Sequence, residues 1–190
     1  DEEYNRSHPV LFIAASENLS FVKLLQHFGA DLFALDSKGY NVLHQAAAHG
    51  DLETVRYLVE SGLSVNSRSR RGRSVLLEAA SFGEPDVVEY LIKKGAKMNT
   101  RTNDGFTPLI NLGVANCYLF DKRYDKKSSY LRYRENALKN LDLLLLNGAN
   151  PKARDEDGKD AIDWFEEYCD QYDGALNSEL YWNLRDAVKY

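Results

Sequence analysis

"GYNVLHQAAAHG" (39–50) recurs as "GRSVLLEAASFG" (72–83), and a third copy opens as "GFTPLINLGVAN" (105–116); the leading glycines are 33 residues apart each time. The stretches that follow repeat as well: "FVKLLQHFGAD" (21–31), "TVRYLVESGLS" (54–64), "DVVEYLIKKGAK" (86–97) and "NLDLLLLNGAN" (140–150). Their glycines, Gly29, Gly62, Gly95 and Gly148, are spaced by 33, 33 and 53, and a last copy opens at Gly158, again 53 beyond Gly105. Self-similarity at a fixed period is the signature of a stacked array. One array carrying a single 20-residue insertion accounts for every spacing.

Each unit predicts two short helices. In the first, Ala46, Ala47, Ala79 and Ala80 are small enough for close packing on a neighbouring unit. In the second, Val55, Leu58 and Val59 follow the i, i+3, i+4 spacing of one apolar helical face, as do Val88, Leu91 and Ile92. Gly62 and Gly95 stand where a left-handed cap would end that helix, and Gly50 and Gly83 where a tight turn would join the two helices. A polar stretch such as "NSRSRRGRS" (66–74) then leads to the next unit.

These units resemble the ankyrin repeat. "GFTPLI" (105–110) carries that family's Thr-Pro-Leu, and "NVLHQAAAHG" (41–50) its Leu-His-x-Ala-Ala and turn glycine. The resemblance implies an all-α solenoid of about five helix-turn-helix units with short β-hairpin fingers, forming one domain over 1–190. The expected parts are an N-terminal capping repeat (7–36), repeats at 37–69 and 70–102, and a repeat at 103–155 interrupted at about 117–136. A C-terminal capping repeat with a closing helix (156–190) completes the array. The ends depart from the pattern, with Leu11 where His44 would fall and Trp164 and Phe165 in place of small residues. Terminal units lack one neighbour and are expected to be atypical.

In the repeat at 37–69, His44, His49, Asp51 and Glu53 crowd two histidines and two carboxylates within ten positions. The two histidines are five apart, which lacks the i, i+4 relation that aims two ligands from one helical face. His44 falls on the family's motif histidine, for which the resemblance implies a structural hydrogen bond between adjacent turns. Asp51 and Glu53 suit a helix start, where negative charge offsets the macrodipole. There is no glycine-rich phosphate loop, no G-x-S-x-G and no Cys-His signature. No catalytic residue, metal site or cofactor is expected.

The family geometry implies recognition of a protein partner through a concave groove and the finger tips, as an adaptor or scaffold or as a stoichiometric inhibitor. A bacterial immunity or antitoxin role that masks a toxin is an alternative within that class. Aligning the first helices on the repeat places Gln45, His49, Glu78, Phe82, Asn111, Trp164 and Tyr168 in the groove. The second finger adds Arg68, Arg70, Arg71 and Arg73, suited to bidentate contact with carboxylates or phosphates. The insertion offers Tyr124, Tyr130, Arg132 and Tyr133 as further contacts. Its stretch 118–136 interleaves six basic residues with tyrosines against three acidic ones, a pattern compatible with single-stranded nucleic acid. The formal charge of −5 argues against a dedicated nucleic-acid binder. From Asp155 onward there are eleven acidic and three basic residues, a net of −8. A positive middle and a negative end would orient a complementary partner.

No run approaches the ~18 apolar residues of a membrane span, so a soluble chain, monomeric before it meets its partner, is expected. A cytoplasmic location is favoured. Because the chain opens on Asp1 rather than methionine, it reads as a trimmed or processed product, and a periplasmic or secreted location stays open. Cys117 and Cys169 form no C-x-x-C pair, and their redox state is left open.

Overall fold

The computed structural model describes residues 8–49, 51–82, 84–116, 128–169 and 179–189. These contain ten helices: α1 (His8–Glu17), α2 (Leu19–His27), α3 (Val42–His49), α4 (Leu52–Glu60), α5 (Val75–Ser81), α6 (Pro85–Lys93), α7 (Pro108–Asn116), α8 (Ser128–Leu146), α9 (Ala161–Cys169) and α10 (Glu179–Lys189). The odd-numbered helices form one layer, with α1 on α3, α3 on α5, α5 on α7 and α7 on α9. The even-numbered helices form the other, running α2, α4, α6, α8 and α10. This is the helical solenoid that the 33-residue period predicts.

Local chemistry starts and stops the helices. Asn18, Asp51 and Ser74 cap α2, α4 and α5 by accepting from the N–H three residues on, at 3.2, 3.3 and 3.2 Å. Pro85 and Pro108 occupy the first position of α6 and α7, where a missing N–H costs nothing. Gly62 and Gly95 follow α4 and α6 with φ of 102° and 85°, so the left-handed caps are present as expected.

The predicted inner faces are the observed ones. Ala46, Ala47, Ala79 and Ala80 are fully buried between odd helices, and Val55, Leu58, Val88, Leu91, Leu141 and Leu144 between the layers. Each such leucine contributes about 2 kcal/mol through burial.

The fingers are short turns. Leu35 pairs with Asn41 and Arg68 with Ser74 in isolated antiparallel bridges, and the third and fourth fingers close through Thr102 N–H to Phe106 O and Asp155 N–H to Lys159 O, both 2.9 Å. One backbone bond joins each finger to the next: Arg70 N–H to Lys38 O (2.9 Å), Asn103 N–H to Arg71 O (2.9 Å) and Glu156 N–H to Asp104 O (3.3 Å). Behind the second helices a parallel set of ties recurs. The Asn66 amide donates to Gly95 O (3.1 Å) and the Asn99 amide to Gly148 O (2.9 Å). Their oxygens accept from the N–H groups of Lys97 (2.9 Å) and Asn150 (2.7 Å). On the outer surface Lys23 lies over the Tyr57 ring and Arg56 over Tyr90, at 5.0 and 4.9 Å from the ring centres.

The insertion lengthens α8 to 19 residues. Residues 117–127, including Tyr124, lie outside the described residues, as do Gly50 and Gly83 and the segment 170–178. The closing helix exists as α10, packed on α8 and α9 with Leu184 fully buried and Tyr181 against Phe165, ring centres 5.9 Å apart.

Candidate functional groove

The fingers and odd helices enclose two adjoining hollows. One, of about 430 Å³, is lined by Lys38, Tyr40, Arg71, Arg73, Glu78 and Phe82. The other, of about 220 Å³, is bounded by Arg71, Arg73, Asp104, Phe106, Asn111 and Val114. Arg71 and Arg73 belong to both, so the hollows form one groove running from the second unit to the fourth.

Its floor is a polar network. Arg73 Nε and Nη2 donate to Glu78 Oε1 (2.5 Å) and Oε2 (3.1 Å), a bidentate pair in which the Glu78 side chain is 8% exposed and that of Arg73 27%. Burial, reinforced by the Glu78 charge, raises the pKa of the Tyr40 hydroxyl. The Tyr40 ring meets His44 edge-on, with centres 5.2 Å apart. His44 is buried, with Nδ1 2.7 Å from Asn41 Oδ1 and Nε2 3.3 Å from the Arg73 carbonyl oxygen in the next finger. Burial lowers its pKa, which favours the neutral imidazole. His44 is thus a tie between units, as the resemblance implies.

Several residues expected to face a partner serve the stack instead. Glu78 is buried in its pair with Arg73, because the finger arginine folds down over it. Arg68 donates to Gly72 O and to Arg101 O in the next finger. Arg70 donates to Ser37 O (2.8 Å) in the preceding one. Both guanidiniums therefore satisfy carbonyls between fingers. Trp164 is only 8% exposed: its indole N–H donates to Asp155, its ring centre is 5.4 Å from that of Phe106, and Lys159 Nζ covers it at 4.1 Å. Its bulk fills the end of the groove rather than presenting an anchor.

Others remain available. Phe82, at the end of α5, is half exposed. Arg71 is exposed, and its backbone carbonyl accepts from the Asn103 N–H. His49 is exposed with Nδ1 3.0 Å from Gln45 O, and Gln45 is half-buried beside it. Asn111 is half-buried and donates to the Ser81 hydroxyl. Arg132 and Tyr133 are exposed on α8, and the Arg132 charge acts on Glu84 at the start of α6. Tyr130 and Tyr168 lie on α8 and α9, but their side chains are outside the described residues.

A row at the finger tips escaped the sequence reading although the period contains it. Lys38, Arg71, Asp104 and Asp157 occupy one register, spaced by 33, 33 and 53, and all four are exposed. The row runs positive, positive, negative, negative.

Among the described residues no helix is long and apolar enough to cross a membrane, and no three His, Cys, Asp or Glu residues are grouped so as to hold a metal ion. A comparison with curated proteins finds no match. Residues 11–102 match the family model described as ankyrin repeats (3 copies). With the two-layer helical stack, the tied fingers and the buried motif histidine, that match shows that residues 11–102 of this chain are ankyrin repeats.

Proposed function

We propose that the chain recognises a protein partner non-catalytically through the groove beneath Phe82 and the finger-tip row. Ankyrin repeats generally act as protein–protein interaction modules. The observation that carries the reading here is the half-exposed Phe82 beside Arg71 and Lys38, over a hollow of about 430 Å³. An exposed aromatic next to a guanidinium is the composition that dominates interface energetics. The matching segment on the partner carries an apolar side chain for the hollow and acidic groups for Lys38 and Arg71. Asp104 and Asp157 favour basic groups further along. Acting this way, the protein serves as an adaptor or as a stoichiometric inhibitor.

The test is affinity capture from the source organism, repeated with Phe82→Ala and with Lys38→Glu combined with Arg71→Glu. Losing an anchor aromatic costs about 2 kcal/mol or more, some thirty-fold in Kd, and the charge reversal slows association. Neither change touches a buried group, so the melting temperature stays within about 2 °C. Undiminished capture of the same partner by both variants would refute the groove.

A further inference from the structure

The outer face of the first unit is apolar where the later units are covered. Val10 and Ile13 on α1 are 49% and 60% exposed, and Phe21 and Leu24 on α2 are 53% and 50%. Thirty-three residues on, Val10 corresponds to Leu43, Ile13 to Ala46 and Phe21 to Thr54, each fully buried. One period later the positions are Leu76, Ala79 and Val87, all 1% exposed or less. In the fourth unit they are Leu109, Leu112 and Asn140, again 1% or less. Among the described residues, those units have a preceding neighbour and the first has none. Direct contacts confirm which way these positions point: the Asn140 amide reaches back to Ala80 O at 3.2 Å. Tyr57, the counterpart of Leu24, bonds back to Gln26 and lies under Lys23.

A capping unit carries a polar outer face, since the array otherwise exposes its stacking surface. Here the outward positions hold valine, isoleucine, phenylalanine and leucine, larger than or as apolar as the residues buried at the same register within the stack. We propose that the first unit is an internal one, and that this face receives a further helix-turn-helix unit of the same kind, carried ahead of it in the same polypeptide. The face continues the series of interfaces α1 on α3 and α3 on α5, which fixes both the occupant's architecture and its register.

The register makes the test direct. Residues 37–69 joined ahead of Tyr4 place a complete unit in phase, because position 70 is equivalent to position 4 by two periods of 33. The extended chain is expected to melt about 5 °C or more above the parent, as one new stacking interface forms. In the parent, Ile13→Lys with Phe21→Lys lowers binding of a hydrophobic dye and leaves the melting temperature unchanged. In the extended chain the same pair removes the gain. An extension that leaves the melting temperature where it was would overturn the proposal, as would a lysine pair equally costly in both chains. Sedimentation gives the other adverse outcome. If the parent is a dimer that the lysine pair dissociates and the added unit does not, the face belongs to a second copy.

Discussion

Replacing Glu78 by glutamine separates a partner contact from a structural tie. The Glu78 side chain is 8% exposed and accepts two bonds from Arg73, at 2.5 and 3.1 Å. Hydrogen bonds to charged groups contribute about 1.5–3 kcal/mol each, and breaking a fully buried ion pair costs about 3–5 kcal/mol. Glutamine keeps one acceptor oxygen, and Arg73, at 27% exposure, recovers part of its hydration. The expected cost is therefore nearer 2 kcal/mol. At about 2–4 °C per kcal/mol for a chain of this size, Glu78→Gln melts about 4–8 °C lower. Thermal unfolding followed by far-ultraviolet circular dichroism measures this, and partner capture well below the transition shows recognition intact. Pairing Glu78→Leu with Arg73→Met fills the same space without charge and returns most of the loss. A melting temperature unchanged within about 1 °C, together with lost capture, would refute the argument and make the carboxylate a contact group.

Two other perturbations follow from the same geometry. The His44 pKa is lowered from 6.5 by burial, so the unfolded chain takes up a proton first as pH falls. The stability this group contributes is present above pH 6.5 and lost as pH falls toward its folded-state value. Urea unfolding at neutral pH and at about pH 5.5 should show that decline, and His44→Gln should make it shallower. Trp164→Ala removes a buried ring and the indole donor to Asp155 Oδ2, whose Oδ1 keeps the N–H groups of Asp157 and Lys159, for an expected cost of about 3–5 kcal/mol, read as a lower urea midpoint with partner affinity kept at low denaturant. An affinity loss without a stability loss would return Trp164 to the groove.

The stack was legible because its requirements recur in register. Gly62 and Gly95, the paired alanines and the Val/Leu faces answer the same steric demand in each unit, so one period displays them repeatedly. The groove was legible only in part. Arg68, Arg70, Arg71 and Arg73 look alike as four charges on one finger, yet three are committed to carbonyls or to Glu78. A signal for one of them was present: Arg68 and Arg101 are 33 apart, Arg154 is 53 further, and Arg68 and Arg101 each bond the carbonyl of the next in that series. A residue that recurs with the period belongs to the stack. Glu78 gave no such signal, since Gln45 and Asn111 at its register are half-buried rather than buried. Its burial depends on a guanidinium reaching across from the finger, a tertiary fact that spacing does not encode.

That division explains how a tied array can still vary in what it binds. In the second finger Arg68 and Arg70 reach neighbouring fingers, the Arg70 N–H bonds Lys38 O, and the Arg71 carbonyl holds Asn103. At the tip, therefore, only the backbone of residue 71 is engaged by the stack, and its side chain is free to change. The same holds at Lys38 and Asp104, whose carbonyls bond the next finger while their side chains stay exposed. Holding the backbone at these points means that little conformational freedom remains to be lost when a partner docks. Charge at the tips can then be rewritten from positive to negative along the row without disturbing the ladder beneath it. Under the proposed function, recognition by this groove resides in the residues that break the repeat, Phe82 and the sign of the tip charges, while those that keep it hold the surface still.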